Sequence, residues 1–217
     1  MSVERRLYHF PLSPFCRKVR LTLAEKKLEV ELIEERYWEP SPDFLRRNPA
    51  GKVPVLRIDN KVLSESQAIC EYLEEKHPSP ALIGATAEQR AESRQWQRRV
   101  ELNITEYLYN AFRYAEGYGL FKDRVHCIPD AAPEMKVSGQ KWLKKLDGLM
   151  AGRQFVAGNE LRLVDIVLYC CLDFAKDVGQ PIDPANANVA AWFKRMDARP
   201  SAQSSLSANW ADIKMRG

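Results

Sequence analysis

Two rhythms divide this chain, and the change between them limits its fold more than any single motif does. Up to Pro78 short β-like runs alternate with helical ones: "RLYHF", then "FCRKVRLTLAEKK", then the alternating "LEVELIEE", a strand-helix-strand unit. The turn-rich stretch "YWEPSPDFLRRNPAG" leads to "KVPVLRID" and "KVLS" around the turn Asp59-Asn60. "ESQAICEYLEEKH" follows, with Ala68, Ile69, Tyr72 and Leu73 on one face of a helix that Pro78 stops. Beyond "PSPALIG" no strand pattern recurs. Trp96, Val100, Ile104, Leu108 and Phe112 repeat every four residues along one helix from Ala87 to about Tyr118. "EMKVSGQKWLKKLDGLM", "RLVDIVLYCCLDFAKDV" and "NVAAWFKRMDARP", the last ended by Pro200, complete the helical part.

The order β-α-β, connection, β-β-α is that of a thioredoxin-like domain. The expected architecture is therefore an α/β thioredoxin-like domain over 1–78, a linker over 79–86 and an all-α domain over 87–217. A chain of 217 residues with 45% apolar and 29% charged residues has the makings of compact cores and not of a disordered polymer. No apolar run approaches the ~20 residues of a membrane span, and "MSVERRLYHF" lacks the apolar core of a signal peptide, so the expected location is the cytoplasm. Five cysteines without a C-x-x-C pair read as reduced thiols, and three scattered histidines share no metal-ligand spacing, so no metal is expected. The excess of 33 basic over 29 acidic residues is dispersed and gives no nucleic-acid footprint.

Three local patterns carry chemistry. In "PLSPFCRKVR", Ser13 precedes a proline suited to the first helical position and is a natural N-cap, typically stabilising by ~1 kcal/mol. The same helix start gathers unpaired N–H groups and a positive dipole end, where a hydroxyl stabilises an anion such as a thiolate. Cys16 sits one turn inward, on the side of Val19 and Leu23, and reads as structural. In "GKVPV", Pro54 at a strand start suggests a cis bond and a bend that turns the N–H and C=O of Val53 outward for strand-like addition. In "SESQAI", Ser64, Glu65 and Ser66 either cap a helix or hold a ligand: free N–H groups and the Ser66 hydroxyl suit a carboxylate, and Glu65 an ammonium group. Together they describe a slot for a short thiol-bearing peptide.

"SPFCRKVRLTLAEK", "NPAGKVPVL" and "LSESQAICEYLEEKHP", in this order and followed by a helical domain, resemble cytosolic glutathione transferases over essentially the whole chain. "SPFC" also resembles the C-P-[FY]-C of glutaredoxins with its first cysteine replaced. The resemblance implies that Ser13 contacts the sulfur of glutathione, as in the serine or cysteine types (tau, zeta and omega-like). It implies that Lys52 lies near the glycyl carboxylate, that Val53 pairs with the cysteinyl backbone and that Glu65 and Ser66 anchor the γ-glutamyl end. Phe15, Tyr107, Phe112 and Tyr114 are the implied pocket for an electrophile, with Tyr109 a further candidate. Glutathione is the implied co-substrate, and a homodimer the implied assembly. Tyr8, the alternative hydroxyl, reads more simply as a strand residue. One departure is Arg162, which stands where relatives place Ser or Thr three residues before Asp165; the cap there is incomplete and Asp165 reads as a folding determinant.

The expected activity is conjugation of the glutathione thiolate to a small electrophile. Rival readings are thiol transfer or dehydroascorbate reduction through Cys16, isomerisation of a small diacid, and a non-catalytic protein of the same fold that binds a cell-division filament. The last reading points to Trp38 and the tail "NWADIKMRG".

Overall fold

The computed structural model of the protein describes residues 4–206. In chain order the elements are β1 (Arg5–His9), α1 (Pro14–Glu25), β2 (Glu31–Glu34), α2 (Pro42–Arg47), β3 (Val55–Ile58), β4 (Lys61–Ser64) and α3 (Ser66–Lys76). There follow α4 (Ala87–Val100), α5 (Glu106–Tyr114), α6 (Tyr118–Phe121), α7 (Ala132–Leu149), α8 (Leu163–Asp177), α9 (Ala187–Asp197) and α10 (Pro200–Ser204). These residues form two compact units, 4–82 with 200–206, and 83–199. The first is the thioredoxin-like α/β unit and the second is all-helical.

In the first unit the strand order is β2-β1-β3-β4, with β2 parallel to β1 and the other pairings antiparallel. Ile33, Tyr8, Val55 and Ser64 stand opposite one another across all four strands. Because side chains alternate along a strand, Leu7 and Leu56, also paired in register, face the other way and are fully buried. Phe44 of α2 packs on Tyr8 and Val55, with Ile33 and Val53 at the margin. The turn-rich connection thus hides a short helix, which Ser41 caps by accepting from Phe44 N–H at 3.1 Å. The helices α1 and α3 pack together, and Thr22 Oγ1 meets Cys70 Sγ at 3.4 Å between them. On α3 the buried stripe is Ile69, Cys70 and Leu73, while Ala68 is exposed and Tyr72 half-buried. The segment after α3 is fixed by the buried ammonium of Lys26, which pairs with Glu74 at 2.5 Å and donates to the carbonyls of His77 and Pro80 at 2.6 and 2.9 Å.

Pro200, expected only to end a helix, opens the short α10, and α10 packs on α1. Residues 200–206 therefore belong with the α/β unit and not with the helical one.

In the second unit the long helix expected from Ala87 is interrupted by a π-helical turn over Glu101–Thr105. A row of residues spaced by four drifts by about 40° per step around an α-helix, and the wider i→i+5 turn rotates it back. Trp96, Val100, Ile104, Leu108 and Phe112 are accordingly all buried. The unit is pinned at Asp165, a fully buried carboxyl. Its Oδ1 accepts from Val156 N–H and Trp192 Nε1–H, both at 2.8 Å, and its Oδ2 from Arg162 N–H at 2.9 Å. The missing N-cap hydroxyl is replaced by backbone, because Asp165 N–H donates to Arg162 O at 2.9 Å. Burial outweighs these donors and pushes the carboxyl up to about 6.

Asp165→Asn keeps one acceptor but sets an NH2 group against Arg162 N–H, and is expected to cost about 1–3 kcal/mol at neutral pH in urea unfolding. A carboxyl whose folded value is raised stabilises fully below its unfolded value, near 3.8, and that contribution is lost as pH rises to about 6. The stability gap between the native protein and Asp165→Asn is therefore expected to narrow between those limits.

Candidate functional site

The register Tyr8-Val55-Ser64 decides which loops meet. β1 runs toward this row and continues into the loop 10–13; β3 starts from it, just after Val53 and Pro54; β4 ends at it, just before Glu65 and Ser66. Three segments far apart in sequence therefore emerge at one edge of the sheet. Phe44 brings α2, and with it the turn leading to Lys52, under the same edge.

Ser13 is the N-cap of α1, with its Oγ accepting from Cys16 N–H at 3.3 Å. That bond uses the oxygen as acceptor and leaves the O–H proton to be donated elsewhere. Ser13 N–H donates to Phe10 O at 3.1 Å, which closes the loop on itself. Cys16 is 0% exposed, its Sγ faces Phe10 N–H at 3.5 Å, and burial pushes its thiol up to about 11. Such a thiol is neither ionised nor accessible at neutral pH.

The Val53-Pro54 bond is cis. Val53 packs its side chain against the Tyr8, Phe44 and Val55 cluster. Neither its N–H nor its C=O has a hydrogen-bond partner among the described residues. The preceding turn is built by Asn48, buried, whose Nδ2 donates to Lys52 O at 2.7 Å and whose Oδ1 accepts from Ala50 N–H at 3.3 Å. Gly51 supplies the φ of +62° that the turn requires. The side chain of Lys52 is exposed.

Glu65 is the N-cap of α3 in an unusual backbone conformation, φ +67° and ψ 109°, and its exposed carboxylate makes no capping bond. The capping alternative for this stretch is thus absent at Glu65. A non-glycine residue held there costs about 1–3 kcal/mol, and such strain concentrates at ligand sites. The Ile69 N–H returns to Glu65 O at 3.0 Å, leaving the amides of the first helical turn before it facing outward. Ser66 is buried, 8% exposed, with no partner for its hydroxyl among the described residues.

Residues 7–81 match the N-terminal domain of glutathione S-transferases and residues 130–200 their C-terminal domain. FtsZ-localized protein A of Caulobacter vibrioides is 30% identical over 98% of this chain and 95% of its own. The chain belongs to the glutathione S-transferase family. Glutathione S-transferase 2 of Saccharomyces cerevisiae is 28% identical over 95% of this chain and 91% of its own. A glutathione S-transferase structure from Rhodospirillum rubrum covers 96% of this chain and 94% of its own at 34% identity and a TM-score of 0.78.

In this member of the family the helical aromatics sort by burial. Phe112, 3% exposed, sits edge-on against Phe174 at 4.9 Å and Phe121 at 6.0 Å, and Tyr109 against Phe174 at 5.8 Å: both are core side chains of the helical unit. Tyr107 and Tyr114 are half-buried, as is Phe15 on α1. Tyr8 is a buried strand residue whose ring packs on Phe44 and under the Arg47 guanidinium at 5.1 Å. Sequence reasoning missed Asn48 and Arg47. The Asn-Pro pair in "NPAGK" signals the Asx turn that Asn48 makes, but Arg47 shows no local pattern.

Among the cysteines, Cys16, Cys70, Cys170 and Cys171 are buried and Cys127 is half-exposed. A maleimide titration of the native protein is expected to give one fast thiol, abolished by Cys127→Ser, with all five reacting only in urea. Fast labelling of Cys16 would restore thiol transfer as a reading of the site.

Proposed function

We propose that the protein is an active glutathione transferase in which the Ser13 hydroxyl stabilises the glutathione thiolate for attack on a small electrophile. The observation that carries this reading is the shared edge, at which a cap hydroxyl with an available proton, a Val53 backbone with no partner among the described residues and the open start of α3 all emerge. Glutathione presents matching groups. Its thiol faces Ser13, its cysteinyl amide adds to Val53 as a strand would, its γ-glutamyl carboxylate takes the Ser66 hydroxyl and the α3 amides, and its ammonium takes Glu65. Lys52 is the counter-charge for the glycyl carboxylate.

The bound thiol loses its proton to solvent, and Ser13 O–H donates to the sulfur anion. The thiolate then attacks the electrophilic carbon; a C–S bond forms and the leaving group departs with the bonding electron pair. Lowering a thiol from ~8.5 by ~2 units takes about 2.7 kcal/mol of differential stabilisation. One charge-assisted hydrogen bond with a helix terminus is of that size. On the α/β unit, half-buried Phe15 is the proposed contact for the electrophile.

A second reading is an interaction protein of transferase fold. The similarity to FtsZ-localized protein A supports it, as does Trp38, 43% exposed at the end of an aromatic group with Phe10 and Tyr37. The tail residues 209–217, on which that reading also drew, lie outside the described residues.

Ser13→Ala is expected to lower kcat with an aryl halide by about 10–100-fold while the affinity for glutathione, measured calorimetrically, changes little. Unchanged kcat removes Ser13 from the mechanism, and absence of glutathione binding by the native protein overturns the enzyme reading in favour of the second one. The proposed homodimer is expected to sediment at twice the 24.9 kDa of the chain.

A further inference from the structure

Arg20 lies in the middle of α1 and is almost wholly buried, yet its guanidinium serves three separate segments. Nη2 donates to Pro11 O, Nε donates to Ser205 O, and Nη1 meets His9 Nδ1, each at 2.9 Å. Three residues earlier, on the same helix face, Arg17 Nε donates to Ser205 Oγ at 3.3 Å and Nη2 to Ala202 O at 3.4 Å. Ser205 Oγ in turn donates to Ala202 O at 2.7 Å, and the Ser201 hydroxyl donates to Glu25 at the far end of α1. The short α10 is thus docked along α1 by side chains from three positions of that helix.

The loop between His9 and Pro14 is four residues long, and its backbone is held from two sides. Phe10 N–H faces Cys16 Sγ at 3.5 Å, and the Pro11 carbonyl is held by Arg20. Burial and the Arg20 charge push His9 down to about 4, so its ring is neutral and Nδ1 accepts. A buried guanidinium persists only where its N–H groups are matched, and its planar fork fixes their relative directions. If Ser205 left, Arg20 Nε would be without that acceptor, and the fork would turn toward water and release Pro11.

We propose that Arg20 is a positioning residue for the Ser13 hydroxyl, and that docking of residues 200–205 on α1 sets how well the site stabilises a thiolate. The proposal rests on the reading of Ser13 given above, and it adds a control point that is remote in sequence from the site. Any partner or substitution that lifts α10 off α1 would weaken the thiolate without touching a group that contacts glutathione.

Two measurements on the full chain test it. The ultraviolet absorbance of bound glutathione thiolate, titrated with pH, reads the charge state, and hydrogen exchange of peptides covering 9–16 and 200–206 reads the loop and α10. In Arg20→Met the thiolate midpoint is expected to rise by about one pH unit. Its kcat is expected to fall on the order of tenfold with glutathione KM nearly unchanged, and both peptides to exchange faster. Arg20→Lys is not expected to restore the midpoint, because one ammonium does not reproduce the fork. Arg17→Met, which removes the bonds to Ser205 Oγ and Ala202 O but leaves the Arg20–Pro11 bond in place, is expected to shift the midpoint in the same direction by less; these two variants carry the test if Arg20→Met does not fold. An unchanged midpoint, or faster exchange confined to 200–206, overturns the proposal. A native protein that binds glutathione without a thiolate band overturns the Ser13 reading instead. The joint or separate response of the two peptides then still decides whether α10 and the loop are coupled.

Discussion

Backbone pairing between β1, β3 and β4 is the constraint on which the candidate site depends. With Tyr8 opposite Val55 and Val55 opposite Ser64, the end of one strand, the start of the next and the end of the third fall at one edge. A slip of one residue would turn Tyr8 and Val55 to the other face and separate them from Phe44. It would also move the Val53 backbone away from the two helix starts. The apolar contact beneath the edge and the polar groups above it are two consequences of the same register.

Buried polar groups play a comparable part elsewhere, and several are matched chiefly by backbone. Asp165 takes two main-chain N–H groups besides the Trp192 indole; Lys26 has Glu74 but also two carbonyls; Arg20 holds Pro11 and Ser205 through theirs. A charged group satisfied in this way fixes the path of the chain, since backbone acceptors cannot be supplied by another rotamer. It does so at three irregular segments: the turn before α8, the segment after α3 and the loop before α1. All three sit at helix starts or ends, where propensity alone leaves the chain free.

Periodicity carried most of the fold. The strands and long helices follow from alternating and four-residue patterns, and Ser13-Pro14 marks the start of α1 because capping and the proline ring act within one turn. Where local signals conflict, the pattern reading fell short. Turn formers hid α2, whose stability comes from Phe44 under the sheet. A four-residue repeat concealed a π turn, because the pattern shows which side chains are apolar but not the backbone turn that brings the row back to one face. Pro200 signals a stop and a start equally well, and only packing on α1 selects the start.

The sequence by itself determined which groups are available: a hydroxyl before a proline at a helix start, a Val-Pro at the mouth of a strand, a Ser-Glu-Ser at a second helix start, and no second thiol for disulfide exchange at the first. Each depends on neighbours within a few residues, so it survives in one dimension. Only the tertiary structure decided that these groups share an edge, that Cys16 is buried beyond ionisation, that Phe112 belongs to the core and that residues 200–206 lie against α1 behind the Ser13 loop. Burial and long-range hydrogen bonds depend on which segments meet. Arg20 and Ser205 stand 185 positions apart, and nothing in either neighbourhood announces the other.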